Sequence, residues 1–199
     1  MTRLAPVSHL STDAGQQITD RDRLLTLVRD KAVVHGRVVL SSGREADYYV
    51  DLRRVTLDAE AAPLVGRVML DLVEDLLDDP GIEAVGGLTL GADPVATAML
   101  HAAAARGLRL DAFVVLKAEK QHGLQRRIEG PDVAGRRVLA VEDTSTTGGS
   151  VLTAVEALRE AGAEVVAVAV IVERGAAPAV EKAGLVYRTA YSLSDLELD

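Results

Sequence analysis

One stretch constrains the fold of this chain more than any other: Val138-Leu139-Ala140-Val141-Glu142-Asp143-Thr144-Ser145-Thr146-Thr147-Gly148-Gly149-Ser150. Val138 to Val141 is an apolar run without alternation, as a parallel strand buried on both faces requires. Glu142 and Asp143 follow it, then hydroxyl residues and two glycines. Val151, Leu152, Val155 and Leu158 recur at helical spacing, and Gly162 is a suitable stop. The stretch therefore predicts a strand, a tight loop and a helix, with the acidic pair fixed between strand and loop.

The chemistry of that loop follows from its parts. Free N–H groups at a helix N-terminus, with the positive end of the helix dipole, make an anion site. Gly148 and Gly149 let the backbone approach a phosphate, and Thr144, Ser145, Thr146, Thr147 and Ser150 add hydroxyl donors. Paired carboxylates want the opposite kind of partner: sugar hydroxyls, or Mg2+ held directly or through water. A ligand with a ribose and a 5-phosphate satisfies both halves. The stretch is neither a Walker A loop nor a Gly-x-Gly-x-x-Gly fingerprint.

The flanks repeat the strand–helix alternation. Helices are expected from Thr19 or Asp20 to Gly36, from Ala62 to Leu77, from Asp93 to Arg106 and from Pro178 to Ala183. Strands are expected at 37–40, 48–52, 82–88, 110–116, 164–173 and 185–192. Such alternation argues for an α/β fold with a doubly wound, mostly parallel sheet, and the early strands for a small N-terminal hood. Residues 1–18 read as a flexible extension, 19–58 as the hood segment and 59–199 as the core. At 199 residues the chain is one domain, or one with a small appendage. Only 3% of residues are aromatic against 48% apolar, so the core must be aliphatic. A formal net charge of -8 argues against nucleic acid as the main partner. No cysteine is present, which excludes disulfides and thiol chemistry, and no run is long and apolar enough to predict a membrane span. The reading is of a cytoplasmic protein with small-molecule substrates.

Three further places carry chemistry. Tyr48 and Tyr49 are adjacent on an expected strand and so point to opposite faces, one inward and one free to reach a ligand. Gly86 to Pro94 is a second glycine-rich strand exit whose backbone N–H groups suit a pyrophosphate. Residues 117–130 form a long polar loop with Lys117, Lys120, His122, Arg126 and Arg127, a basic segment in an acidic protein. Loops of that length inside a domain are usually functional, and these cations suit a lid over a polyanion.

The central stretch resembles the signature of the type I phosphoribosyltransferases, in which an acidic pair and a Thr/Gly loop hold phosphoribosyl pyrophosphate. Gly36 to Arg44 leading into Tyr48-Tyr49-Val50-Asp51, and Lys117-Ala118-Glu119-Lys120-Gln121-His122-Gly123, resemble the orotate phosphoribosyltransferases. The resemblance covers about residues 20–195. It implies the type I phosphoribosyltransferase fold and conversion of orotate and phosphoribosyl pyrophosphate to orotidine 5′-monophosphate and pyrophosphate, with Mg2+. It implies that Glu142, Asp143, Thr144, Ser145, Thr146, Thr147, Gly148 and Gly149 bind phosphoribosyl pyrophosphate, together with Lys117, Lys120 and His122. Tyr48, Tyr49, Thr146 and Arg174 would bind orotate. Lys117, Lys120, His122 and Asp143 would be the catalytic group, and Mg2+ would be held mainly through substrate, with Glu142 and Asp143 as its protein ligands. A homodimer whose lid serves the neighbouring site is implied too. The chain departs from the family pattern at Ser41 and Leu116, where relatives carry Lys and Arg, and has no basic residue in its second glycine-rich loop. A phosphoribosyltransferase for another base and a nonenzymatic regulator on the same fold are the alternatives.

Overall fold

A computed structural model describes residues 18–39, 45–78, 81–117 and 127–198. Its frame is a six-stranded sheet built from β3 (Ala84–Leu88), β4 (Asp111–Val115), β5 (Ile128–Glu129), β6 (Arg137–Ser145), β7 (Glu164–Glu173) and β8 (Val186–Tyr191). The spatial order is β5-β4-β3-β6-β7-β8. The β3–β4, β3–β6, β6–β7 and β7–β8 pairs are parallel, and β5 runs antiparallel to β4.

Both faces of the sheet are covered. Leu139 and Val141 of β6 join a cluster with α3 (Ala61–Leu72) and α4 (Ala92–Ala105). Val138 and Ala140, the alternate residues, join a second cluster with α5 (Gly149–Glu160) and α6 (Ala177–Lys182). Period-two alternation sends neighbours to opposite faces, so a strand buried on both must be apolar throughout. The fold is thus α/β and doubly wound, as expected. From β3 the chain builds outward to β4, then returns to the other side of β3 with β6. That reversal opens a crevice at the carboxyl ends of β3 and β6, where ligands of such sheets bind.

The hood comprises α1 (Asp20–Leu27), β1 (Val33–Val39), β2 (Glu45–Val50) and α2 (Arg53–Thr56). Thr19 and Asp22 form a capping box at the start of α1. β1 and β2 form their own antiparallel pair. Leu24, Val28, Val50, Leu52 and Val55 anchor the hood in the first cluster. Tyr191 of β8 donates its hydroxyl to the Arg21 carbonyl at 2.7 Å, and the Arg21 guanidinium lies 5.1 Å from that ring, so the hood helix is also tied to the last strand.

Several boundaries differ from the sequence reading. The first helix stops at Ala32, after a π-helical turn over Val28–Ala32, and β1 begins at Val33 rather than near Arg37. Val33 and Val34 favour a strand and find partners in Val50 and Tyr49. Gly36 lies inside β1 at a register shift, with a φ of 142°. β2 ends at Val50, and Arg53–Thr56 is helical. α3 ends at Leu72, and Glu74–Leu76 is a 3₁₀ turn. An apolar i, i+3 pattern runs through both kinds of helix, so periodicity could not mark that boundary. β6 extends to Ser145, so the acidic pair lies within the strand and the loop shrinks to Thr146–Gly148. β5 occupies part of the expected lid, because Ile128 and Glu129 pair with Val115 and Val114. Residues 1–17, residues 40–44 and residues 118–126 of the expected lid, Lys120 and His122 among them, lie outside the described residues.

Candidate active site

The crevice is built from strand ends. Thr144 and Ser145 of β6 pair with Val172 and Glu173 of β7, and the Thr144 hydroxyl donates to the Val172 carbonyl at 3.2 Å. Gly148 then turns the chain with a φ of 78° and α5 begins at Gly149, so the N-terminus of α5 opens beside the acidic pair. On the opposite wall the chain leaves β3 through Thr89, Leu90 and Gly91 and enters α4. The two walls touch at Gly91. A Cβ there would lie 2.1 Å from Glu142 Oε1 and 2.7 Å from Asp143 Oδ1, so any side chain at this position would displace the acidic pair.

A cavity of about 280 Å3 lies at this junction, lined by Tyr49, Arg53, Lys117, Glu142, Asp143 and Ser150 among others. It joins parts of the chain 101 positions apart, from Tyr49 on β2 to Ser150 on α5. Glu142 is only 5% exposed. Burial, and after it the charge of Asp143, push its carboxyl up to about 8. Asp143 is also raised, first by burial; the Thr144 N–H at 2.7 Å and the Arg53 charge oppose the rise. Asp93, in the first turn of α4, is raised by burial, and its Oδ1 is buried with no partner among the described residues. Carboxyls raised in this way lack enough cationic partners in the ligand-free protein, and they suit sugar hydroxyls or a divalent cation that would restore their ionised form. Among the described residues no group of three or more His, Cys, Asp or Glu is placed to hold a metal, so an ion here would draw most of its oxygens from a ligand.

The expected residues separate by position. Tyr49, Lys117, Glu142, Asp143 and Thr144 line the cavity. Tyr49 is 39% exposed, whereas its neighbour Tyr48 packs against the first core cluster. Thr146 and Thr147 are exposed in the loop, and Thr147 Oγ1 accepts the Gly149 N–H at 3.4 Å. Ser145 is buried, with its side chain near the Tyr187 phenol of β8. Arg174 follows β7 at the carboxyl edge, its N–H donating to the Ser145 carbonyl at 2.9 Å and its Nε buried without a partner among the described residues. Leu116 is half-buried, with its N–H donating to the Arg127 carbonyl at 2.7 Å; its backbone belongs to the β4–β5 edge.

Arg53 escaped the sequence reading. Its Nε donates to Asp51 Oδ1 at 2.8 Å, which fixes the side chain, and no hydrogen bond engages its terminal nitrogens among the described residues. Asp51 raises its pKa further, by hydrogen bond and then by charge. The available signal was a pair of arginines directly after a strand in an acidic chain. Gly91 left no signal beyond its glycine-rich context.

The phosphoribosyl transferase domain model matches residues 67–190. Orotate phosphoribosyltransferase of Streptomyces avermitilis is 71% identical over 182 residues, covering 90% of this chain and 98% of the relative. The enzyme of that name from Mycobacterium tuberculosis is 59% identical over 182 residues, again covering 90% and 98%. A crystal structure of the M. tuberculosis protein in complex with 5-phospho-α-D-ribosyl 1-diphosphate superposes with a TM-score of 0.78 at 53% identity, covering 90% of this chain and 100% of that one. Adenine phosphoribosyltransferase from Leishmania donovani, at 14% identity and a TM-score of 0.61 over 89% of this chain and 83% of the other, shares the fold alone.

Proposed function

The chain belongs to the orotate phosphoribosyltransferase family, and from that premise we propose that it transfers the ribose 5-phosphate of phosphoribosyl pyrophosphate to orotate. The products are orotidine 5′-monophosphate and pyrophosphate, a step of UMP synthesis. The observation that carries this reading is the acidic pair Glu142–Asp143, Glu142 buried, beside the N-terminus of α5.

Each part of the crevice suits one part of the substrates. The stretch Thr144 to Gly149 wraps the 5-phosphate with backbone N–H groups and, from the exposed Thr146 and Thr147, hydroxyl donors. Glu142 and Asp143 accept hydrogen bonds from the ribose hydroxyls. Breaking the anomeric carbon–oxygen bond builds positive charge on the ribose and negative charge on pyrophosphate. The two carboxylates favour the first; Lys117, with Lys120 and His122 of the lid, and Arg53 favour the second. Mg2+, bound mainly through substrate oxygens with Glu142 and Asp143 as its protein ligands, would supply further positive charge to the leaving group. Tyr49 and Arg174 hold the base, Tyr48 supports the strand beneath it and Thr146 borders it. Orotate can attack as a ring-nitrogen anion, so positioning supplies most of the catalysis. Both substrates are charged and do not cross membranes unaided, which fits a cytoplasmic enzyme.

Release of pyrophosphate with orotate, uracil, adenine and xanthine in turn tests the assignment. Orotate alone should support it at full rate; a faster reaction with another base, or none with orotate, would overturn the reading.

The proposal includes a homodimer with a shared lid. An apolar groove of about 880 Å3 between α2, α3 and α4 adjoins the crevice through Arg53 and Leu90, and Leu57 and Leu90 on it are 72% and 69% exposed. A variant carrying Lys117→Ala and Lys120→Ala, mixed with Asp143→Asn, should regain activity, because one hybrid site then has both halves intact. Hybrid dimers that form but stay inactive would place the lid over its own subunit.

A further inference from the structure

The turn after β7 carries Arg174, and the residue before it holds that turn in shape. Glu173 is the last residue of β7 and pairs with Ser145, the last of β6. Its Oε1 accepts the backbone N–H of Gly175 at 2.5 Å and that of Ala177 at 3.3 Å. Its Oε2 accepts the hydroxyl of Tyr187 from β8. Burial, followed by the Glu173 hydrogen bond, pushes the Tyr187 phenol far above its usual range, so it remains a donor at working pH. The Ser145 side chain lies close enough to the same phenol to oppose that rise. One carboxylate therefore ties the turn after β7 to Tyr187, near the start of β8.

The brace matters because of what the turn carries. Gly175 has a φ of 117°, and a Cβ there would lie 3.2 Å from the Thr146 carbonyl oxygen, so the turn is pressed against the phosphate loop. Arg174 donates its backbone N–H to Ser145, but its buried Nε is bonded to nothing among the described residues. No side-chain hydrogen bond among the described residues holds the guanidinium, so a shift of the backbone it stands on would carry it along. Glu173 is the side chain that fixes the next two N–H groups of that backbone.

We infer that Glu173 is a positioning residue for the base. By holding Gly175 and Ala177, and by its brace to Tyr187, it aims Arg174 and so sets affinity for orotate without touching it. The inference rests on the assignment of Arg174 to the base made above.

Steady-state kinetics on Glu173→Leu, Glu173→Gln, Tyr187→Phe, Arg174→Ala and the Glu173→Leu/Arg174→Ala pair test it. Glu173→Leu should raise the KM for orotate roughly tenfold, the scale of one lost charge-assisted hydrogen bond, and leave the KM for phosphoribosyl pyrophosphate within about threefold. Glu173→Gln keeps an acceptor for the two N–H groups and should restore orotate KM to within about threefold of wild type. Tyr187→Phe deletes only the outer hydroxyl and should raise it by roughly threefold, which keeps the test open should Glu173→Leu fail to fold. In the Arg174→Ala background Glu173→Leu should add nothing to the loss, since both act through one contact. An unchanged orotate KM in Glu173→Leu, or equal losses for both substrates that persist in the double variant, would overturn the inference while Arg174→Ala still raises orotate KM. An unchanged KM in Arg174→Ala would instead sink the assignment of Arg174 itself, and the inference with it.

Discussion

The carboxyl end of β6 and the hood place ligand-facing side chains by different means. Glu142 and Asp143 stand on a strand whose apolar residues, Val138 to Val141, are buried on both faces of a six-stranded sheet. Tyr49 stands on a ribbon of two strands, β2 being paired only with β1 among the described residues. At β6 the framework is complete without the two carboxyl groups, which lie against Gly91. In the hood, successive residues divide the work: Tyr48 packs into the core and Tyr49 faces the cavity. Charge is thus presented by a central strand of the six-stranded sheet, and base contact by a thinner element anchored at Val50 and Leu52. Charge stabilisation depends on fixed dipoles and distances, whereas stacking on a ring tolerates small shifts.

The largest expected effect tests the central strand. Asp143→Asn should lower kcat at least ~100-fold, about 2.7 kcal/mol of transition-state interaction, with a melting temperature no lower than wild type. Wild-type turnover in the folded variant would remove the carboxylate from the chemistry.

A smaller effect tests the hood. Tyr49→Ala should raise orotate KM about fivefold, in line with roughly 1 kcal/mol for an aromatic contact, and change thermal stability little. Tyr48→Ala should do the reverse, lowering the melting temperature through lost packing. Equal effects of the two on KM and melting would mean that the faces of β2 are not divided.

The smallest effect is a pH dependence. With Glu142 pushed up to about 8, the native state keeps that carboxyl protonated at a pH where the unfolded chain ionises it. The native state then binds more protons, so the stability of the ligand-free enzyme falls as pH rises from about 5 to about 8. The lowered carboxyls of Asp20, Asp51 and Asp58 act in the opposite sense, but only below that window. Thermal melts of Glu142→Gln should therefore show a flatter profile, its advantage over wild type growing toward the alkaline end. Parallel profiles would show that Glu142 ionises normally.

Much of the cradle was legible because its constraints are local. An apolar run buried on both faces, an acidic pair and glycines before an amphipathic helix can be recognised within a few residues. The β7 run from Val165 to Val172 was legible for the same reason. Boundaries were harder. Val33 leaves the helix because Val50 waits across the ribbon, and Ile128 becomes strand because Val115 offers an edge. Both depend on partners distant in sequence. Arg53 was invisible as a site residue because its side chain is directed by Asp51 and by the proximity of β2 to β6.

The sequence by itself determined the order of elements, the aliphatic core and the chemical kinds present: an acidic pair, an anion loop, basic residues, paired tyrosines. Those follow from periodicity and side-chain chemistry, which act over one or two turns of chain. Only the tertiary structure decided which of them meet. It brought Gly91 against Glu142 and Asp143, set Arg53 beside Asp143, turned Tyr49 toward the crevice and Tyr48 away, and gave Glu173 the task of holding the Arg174 turn. The physical reason is that these relations pass through space at the switch point of a twisted sheet, between strands joined by whole helices, where spacing along the chain no longer measures distance.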